Sequence, residues 1–349
     1  MSPFPRPGYR LLSRYTPDRS PLEVDLSDNT NRWGTHPAAL KVIQEAGTED
    51  LTRYPPVYAD NLRSTVADKF GVPMECVTTG CGSDDLLDSV FRAAGEPGES
   101  VAYLPPTFSM LEIFAQMNGM ELRPVSPGGG SEPQAMLDGN PALIYLCRPN
   151  NPTGEVVPRR WVEHLLEAVG PNGPILLVDE AYADFAEDDF LGEAAKSSRL
   201  LVLRTFSKGY GLAGLRVGFA VGPAEVILEV EKSRGPYKVS GLAESAAVSA
   251  LEDEEGWVPK VVTKVKHQRD RLREELEHRG WAPLPSGANF LLLPLRGRTA
   301  AGVTAELRES GVAVRPFPGL PGIGESIRVS IGPKEQIDRF LRALDEILS

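Results

Sequence analysis

Thr205-Phe-Ser-Lys-Gly-Tyr-Gly-Leu-Ala-Gly-Leu-Arg216, followed by Val217-Gly-Phe-Ala-Val-Gly222, is the stretch on which the fold turns. Gly209, Gly211 and Gly214 match the G-x-G-x-x-G dinucleotide fingerprint, and the apolar residues 200–203 ahead of them read as a strand. That fingerprint needs a helix opening at the glycines, so that its N-terminus meets a pyrophosphate. Residues 215–222 instead carry β-branched side chains and two further glycines, which is strand chemistry. The glycines therefore mark a turn between strands, and Ser207, Lys208 and Arg216 become the informative residues.

Working outward, residues 38–46, 58–70 and 86–94 read as helices, and 76–79, 100–103, 142–147, 175–178, 200–203 and 217–221 as short apolar strands. Fully apolar strands separated by helices predict an α/β fold with a mostly parallel central sheet, covered on both faces. Residues 257–279 keep an apolar stripe, Val258, Val262, Val265, Leu272 and Leu276, through a charged stretch, which predicts a long connecting helix. Beyond it, strands at 290–293, 312–315 and 327–331 and helices at 299–310 and 334–348 predict a smaller α/β unit. The expected organisation is an N-terminal arm, 1–35, packing on the small domain and a partner subunit, then a large domain, 36–255, and a small one, 256–349. Gly128 to Gly130 read as a flexible loop.

The chain has 349 residues, 41% hydrophobic and 24% charged, which is ordinary globular composition and enough for two cores. A net charge of −11 repels polyanions, so neither a nucleic acid nor an anionic membrane is expected as partner. Three cysteines fit no paired framework and four scattered histidines show no metal-ligand spacing, so no metal is expected. The proline-dotted N-terminus has no apolar run to serve as a signal, and cytoplasmic is the expected location.

Four segments belong to one chemistry: Gly80-Cys-Gly-Ser-Asp84, Asn150-Asn-Pro-Thr-Gly154, Asp179-Glu-Ala-Tyr182 and the 205–216 stretch. In this order the chain resembles the fold-type I pyridoxal-phosphate enzymes, specifically the class I/II aminotransferases. The likeness runs from Leu26-Ser-Asp-Asn-Thr-Asn-Arg-Trp-Gly34 to Ile327-Arg-Val-Ser-Ile-Gly332. It implies pyridoxal 5'-phosphate as cofactor and Lys208, one of ten lysines, as the amine that joins its aldehyde. A lysine in a desolvated, cation-rich pocket suits that role, because its charged form is penalised there. Asp179, ending the apolar Ile175-Leu-Leu-Val178, would hold the proton on the ring nitrogen, a buried acid needing such a partner; position alone favours a helix N-cap, and the Tyr182 spacing and the other segments reverse that.

The resemblance further implies that Tyr182 and Asn151 donate to the ring's phenolate oxygen and that Phe108 stacks on the ring. Gly82, Ser83 and Asp84, entering the helix at 86–94, would bind the phosphate with Thr205, Ser207 and the Arg216 fork. Asp84 would offer its backbone N–H, since its carboxylate would repel the dianion. Tyr54, with Tyr58 as the other candidate, matches a tyrosine that reaches the neighbouring subunit's cofactor phosphate, which implies a homodimer with shared active sites.

Arg328 matches the family arginine that grips the acidic end of the substrate. A second arginine, Arg315 in Gly311-Val-Ala-Val-Arg-Pro316, makes the pairing similar to histidinol-phosphate aminotransferases, where both bind the substrate phosphate. A phosphate warrants more than one fork, whereas a carboxylate is satisfied by one. Tyr15 and the strip Asn29 and Asn31 match further substrate-binding positions. The expected reaction is ping-pong amino transfer between glutamate/2-oxoglutarate and histidinol phosphate/imidazole-acetol phosphate. An aromatic amino-acid aminotransferase and a threonine-phosphate-type decarboxylase of the same fold are the alternatives. Arg32, Trp33, Arg148 and Lys238 depart from the family pattern on segments expected to line or border the substrate cavity.

Overall fold

The computed structural model describes residues 4–14, 16, 20–126 and 132–347, so Tyr15 and the expected loop at 128–130 lie outside the described residues. A seven-stranded sheet runs in the order Val77–Gly80, Gly218–Val221, Leu200–Thr205, Ile175–Asp179, Leu143–Cys147, Ser100–Tyr103, Glu121–Pro124. All neighbours are parallel except Gly218–Val221, which is antiparallel to both strands beside it. That strand follows directly on the 209–214 glycines, where Ala213–Leu215 forms only a 3-10 turn. No helix opens there, so the dinucleotide geometry is absent.

Alternation along the strands divides the apolar side chains between two layers. Ile144, Leu146, Leu176, Val178, Leu200 and Val202 face the helices Asp60–Phe70 and Gly241–Leu251. Leu143, Tyr145, Leu177, Leu201 and Leu203 face Ser83–Ala94, Met110–Asn118 and Ala224–Ser233. The edge strand Glu121–Pro124 was not expected from sequence. It is half exposed and polar, and so lacks the apolar run that marks the buried strands.

A third core joins Leu272 and Leu276 of the helix Trp257–His278 to a three-stranded antiparallel sheet, ordered Arg315–Leu320, Gly324–Ser330, Phe290–Pro294. The helix buries Val265 as expected, and Val261 in place of the expected Val258 and Val262, which are half-buried. The strand expected at 312–315 is in fact two. Val312–Ala313 pairs in parallel with Val24–Asp25 of the N-terminal segment, and Arg315 starts the antiparallel strand. Val24 and Leu26 are thereby buried in the third core, while the 3-10 turn Pro7–Leu11 lies near helix Met110–Asn118, where Arg6 bonds the Met117 carbonyl. Among the described residues no helix is long and apolar enough to cross a membrane.

Candidate active site

A cavity of about 510 Å³ lies beyond the carboxyl ends of Leu143–Cys147, Ile175–Asp179 and Leu200–Thr205, whose last residues all line it. Open α/β sheets place ligands at this edge. Ser27, Asp28 and Thr30 contribute from the N-terminal segment, and Arg315, Phe317 and Arg328 from the small sheet.

Parallel register sets Cys147 opposite Asp179, and so puts Tyr145, two residues back, on the same face as Asp179. The Tyr145 hydroxyl donates to Asp179 Oδ2 at 2.9 Å, and the Ala181 N–H donates to Oδ1 at 3.1 Å. Burial pushes the Asp179 carboxyl up to about 6, against the pull of those two bonds. Lys208 Nζ donates to the Asp28 carbonyl at 3.3 Å. Burial, and then the Arg328 charge, bring its amine down to about 8. Two groups poised on either side of neutrality in one cavity are the usual equipment of proton transfer.

Tyr182 is buried edge-on against Phe290, and its hydroxyl oxygen accepts from Asn29 Nδ2 at 3.0 Å. Burial holds its proton well above the ordinary tyrosine range. With the oxygen engaged as acceptor, the proton remains to be donated. Asn151 Oδ1 accepts from Arg328 Nη1 at 2.5 Å, which leaves the Asn151 amide nitrogen as its donor.

At the other end, Gly82 (φ +79°) leads into the twelve-residue helix Ser83–Ala94 with no side-chain cap. A Cβ on Gly82 would lie 2.7 Å from Arg216 Nη2, so the guanidinium sits directly over bare backbone. Arg216 Nη2 approaches Asp84 Oδ2 at 3.4 Å, and Thr205 Oγ1 donates to Ser207 Oγ at 3.0 Å. Uncapped N–H groups, two hydroxyls and a cation form a cradle for a dianion.

Lys208, Asp179, Tyr182, Ser83, Asp84, Phe108, Asn151, Thr205, Ser207, Arg216, Arg315 and Arg328 thus share one cavity. Asn31 does not line it: its amide donates to the Gly209 carbonyl at 2.9 Å and its Oδ1 accepts from Trp33 N–H. Tyr54 is 84% exposed, and its ring lies 4.8 Å from that of Tyr237, tilted by 34°. The four departures from the family pattern lie elsewhere too. Arg148 is buried with Asp188, Lys238 pairs with Asp85, Arg32 bonds Gln336, and Trp33 packs against the third core. Sequence reasoning missed Tyr145, Asp28, Thr107, Cys147 and Phe317. Strand alternation back from Cys147 would have found Tyr145.

Residues 23–344 match the family model for aminotransferase class I and II. The chain is 36% identical over 335 residues to an aromatic amino acid aminotransferase of Streptomyces coelicolor, covering 93% of this chain and 91% of that protein. It is 31% identical over 354 residues to histidinol-phosphate aminotransferase 1 of a Nostoc species, covering 100% and 99%. Among solved structures, histidinol-phosphate aminotransferase from Sinorhizobium meliloti in complex with pyridoxal-5'-phosphate superposes with a TM-score of 0.88 at 25% identity, covering 100% and 98% of the two chains. This chain belongs to the class I and II aminotransferases. It is a pyridoxal-phosphate-dependent enzyme of fold type I.

Proposed function

We propose that the chain moves an amino group between glutamate/2-oxoglutarate and a phosphorylated amine of the histidinol phosphate/imidazole-acetol phosphate type. The cofactor phosphate would sit at the N-terminus of Ser83–Ala94 beneath Arg216, with Gly82, Asp84 N–H, Thr205 and Ser207 around it. When bound, pyridoxal phosphate takes up the substrate nitrogen and withdraws the electron pair left at Cα. Asp179 holds the ring-nitrogen proton, Phe108 stacks on the ring, and Tyr182 and Asn151 donate to the ring oxygen. Lys208, its amine brought towards neutrality, takes the Cα proton and returns it one atom away. Tyr54, exposed on one chain, would reach the cofactor phosphate of a second subunit, which makes the working form a homodimer.

One observation carries the substrate class: Arg315 and Arg328 are direct partners across an antiparallel pair and both line the cavity. Two guanidinium forks on one wall suit a phosphate. A second reading, an aromatic amino acid with its carboxylate on Arg328, is favoured by Phe317, an aromatic wall beside that arginine at 5.4 Å. Single-turnover half-reactions with histidinol phosphate and with phenylalanine separate the two. A kcat/KM at least tenfold higher for the phosphorylated donor supports the proposal, and the reverse order transfers it to the aromatic reading. Carbon dioxide release without a keto acid would replace both with a decarboxylase.

A further inference from the structure

Tyr145 is fully buried, and its phenol lies within a layer of apolar side chains, where an unbonded hydroxyl would carry a desolvation cost. Its hydroxyl reaches Asp179 Oδ2 at 2.9 Å. The other oxygen of that carboxylate is held by the Ala181 N–H, so both oxygens are fixed and the plane of the carboxylate is set before anything binds. We propose that Tyr145 is a positioning residue, which keeps Asp179 ionised and aimed at the cofactor's ring nitrogen. This rests on the reading of Asp179 as the ring-nitrogen partner.

A hydrogen bond donated to a carboxylate favours its charged form, and the charged form is the one that retains a proton on a ring nitrogen. The other groups facing Asp179 do not do this together. Asp84, from the helix Ser83–Ala94, disfavours the negative charge. Lys208, from the loop after Leu200–Thr205, favours it but is itself committed to the substrate. The thiol of Cys147, on the same strand as Tyr145, is kept neutral by burial. Tyr145 is thus the donor whose bond to Asp179 spans two adjacent strands, and the sheet that builds the site also fixes its geometry.

The test is a binding cycle on the full-length apoprotein, with pyridoxal phosphate and with its analogue in which the ring nitrogen is replaced by CH, each titrated by fluorescence at pH 7. Tyr145→Phe removes one oxygen without changing the packing shape. We expect it to weaken pyridoxal phosphate about tenfold, the equivalent of one hydrogen bond to a charged group, and to leave the analogue unchanged. It also shifts the acid limb of the half-reaction pH profile upward, because Asp179 then protonates more easily. Equal loss with both ligands, or no loss with either, overturns the proposal in favour of plain packing. Asp179→Asn in the same cycle keeps the two failures apart. If it too weakens both ligands alike, the ring-nitrogen reading itself falls. If it discriminates and Tyr145→Phe does not, only the Tyr145 inference falls.

Discussion

Arg315 and Arg328 are paired residue to residue across the antiparallel strands Arg315–Leu320 and Gly324–Ser330, two like charges side by side. Such pairs are destabilising by about 0.2–1 kcal/mol in an empty sheet. The two differ in how firmly they are held. Arg328 is 6% exposed, bonded to Asn151 Oδ1 and to the Ser27 carbonyl at 2.9 Å, and lies between the rings of Phe290 and Phe317. Arg315 is half-buried. One fork is bonded into the cavity wall at Asn151 and Ser27, and the second stands more open on the same wall.

That difference predicts separable phenotypes. Arg328→Gln lowers kcat/KM for phosphorylated and unphosphorylated donors alike, since it also releases Asn151. Arg315→Gln lowers it about 10- to 100-fold for a phosphorylated donor and only slightly for phenylalanine. Half-reaction kinetics on the two variants with both donors check this. Equal sensitivity of both donors to Arg315 would place that side chain outside the recognition of phosphate.

Asp179 makes the apoprotein less stable than it need be. Its carboxyl titrates at about 6 when folded, against 3.8 in the unfolded reference, so between those values the folded form holds more protons. The stability contributed by this group therefore falls as pH rises through that window and is gone above it. Asp179→Asn should stabilise the apoprotein at pH 7.5 by up to about 3 kcal/mol, and by less at pH 5. Urea unfolding at the two pH values measures it. A destabilised variant at pH 7.5 would show that the carboxylate is well accommodated without cofactor.

The central strands of the large sheet were legible because burial on both faces demands an uninterrupted apolar run, as in Leu143–Cys147 and Ile175–Asp179. The edge strand Glu121–Pro124 was not, because half-exposed backbone imposes no such demand. Lys208, Asp179 and Arg216 were legible because they stand within short motifs. Tyr145 and Asp28 were not. Each acts through a contact, to Asp179 Oδ2 and to Lys208 Nζ, whose existence depends on strand register and on where a distant loop comes to rest. Arg148 and Lys238 look unusual in sequence, yet the chain turns both away from the cavity and onto acids of its own.

Lys208 is held by its neighbour. The Gly209 N–H bonds the Asp184 carboxylate, and the Gly209 carbonyl accepts from Asn31 Nδ2. Asp184 is fixed in turn by Arg204 Nη1 at 3.4 Å. A Cβ at position 209 would collide with the Asp184 carboxylate, so one side of this clamp must open. Gly209→Ala should cost about 1–3 kcal/mol of stability and displace Lys208 enough to slow turnover at least tenfold. Asn31→Ala, which opens only the other side, should slow it less. Turnover rates alongside urea midpoints check both, and full turnover in Gly209→Ala would show that the clamp is not needed.

Arg148 offers the converse case, a cation beside the motif that carries stability rather than specificity. It is 1% exposed, donates to the Val157 carbonyl at 2.8 Å and to the Asp188 carbonyl at 3.3 Å, and pairs with Asp188 Oδ1 at 2.6 Å. Its guanidinium also lies 5.2 Å from the centre of the Phe190 ring. Arg148→Ala would orphan the Val157 carbonyl and leave a cavity the length of the side chain. Asp188, 37% exposed, would turn to water. The expected loss is about 3–5 kcal/mol. Arg148→Met, which keeps the stem and its packing, should lose less. Neither variant should change the ratio of kcat/KM between histidinol phosphate and phenylalanine. A changed ratio in Arg148→Met, with stability near that of the parent, would mean that this arginine reaches the substrate after all.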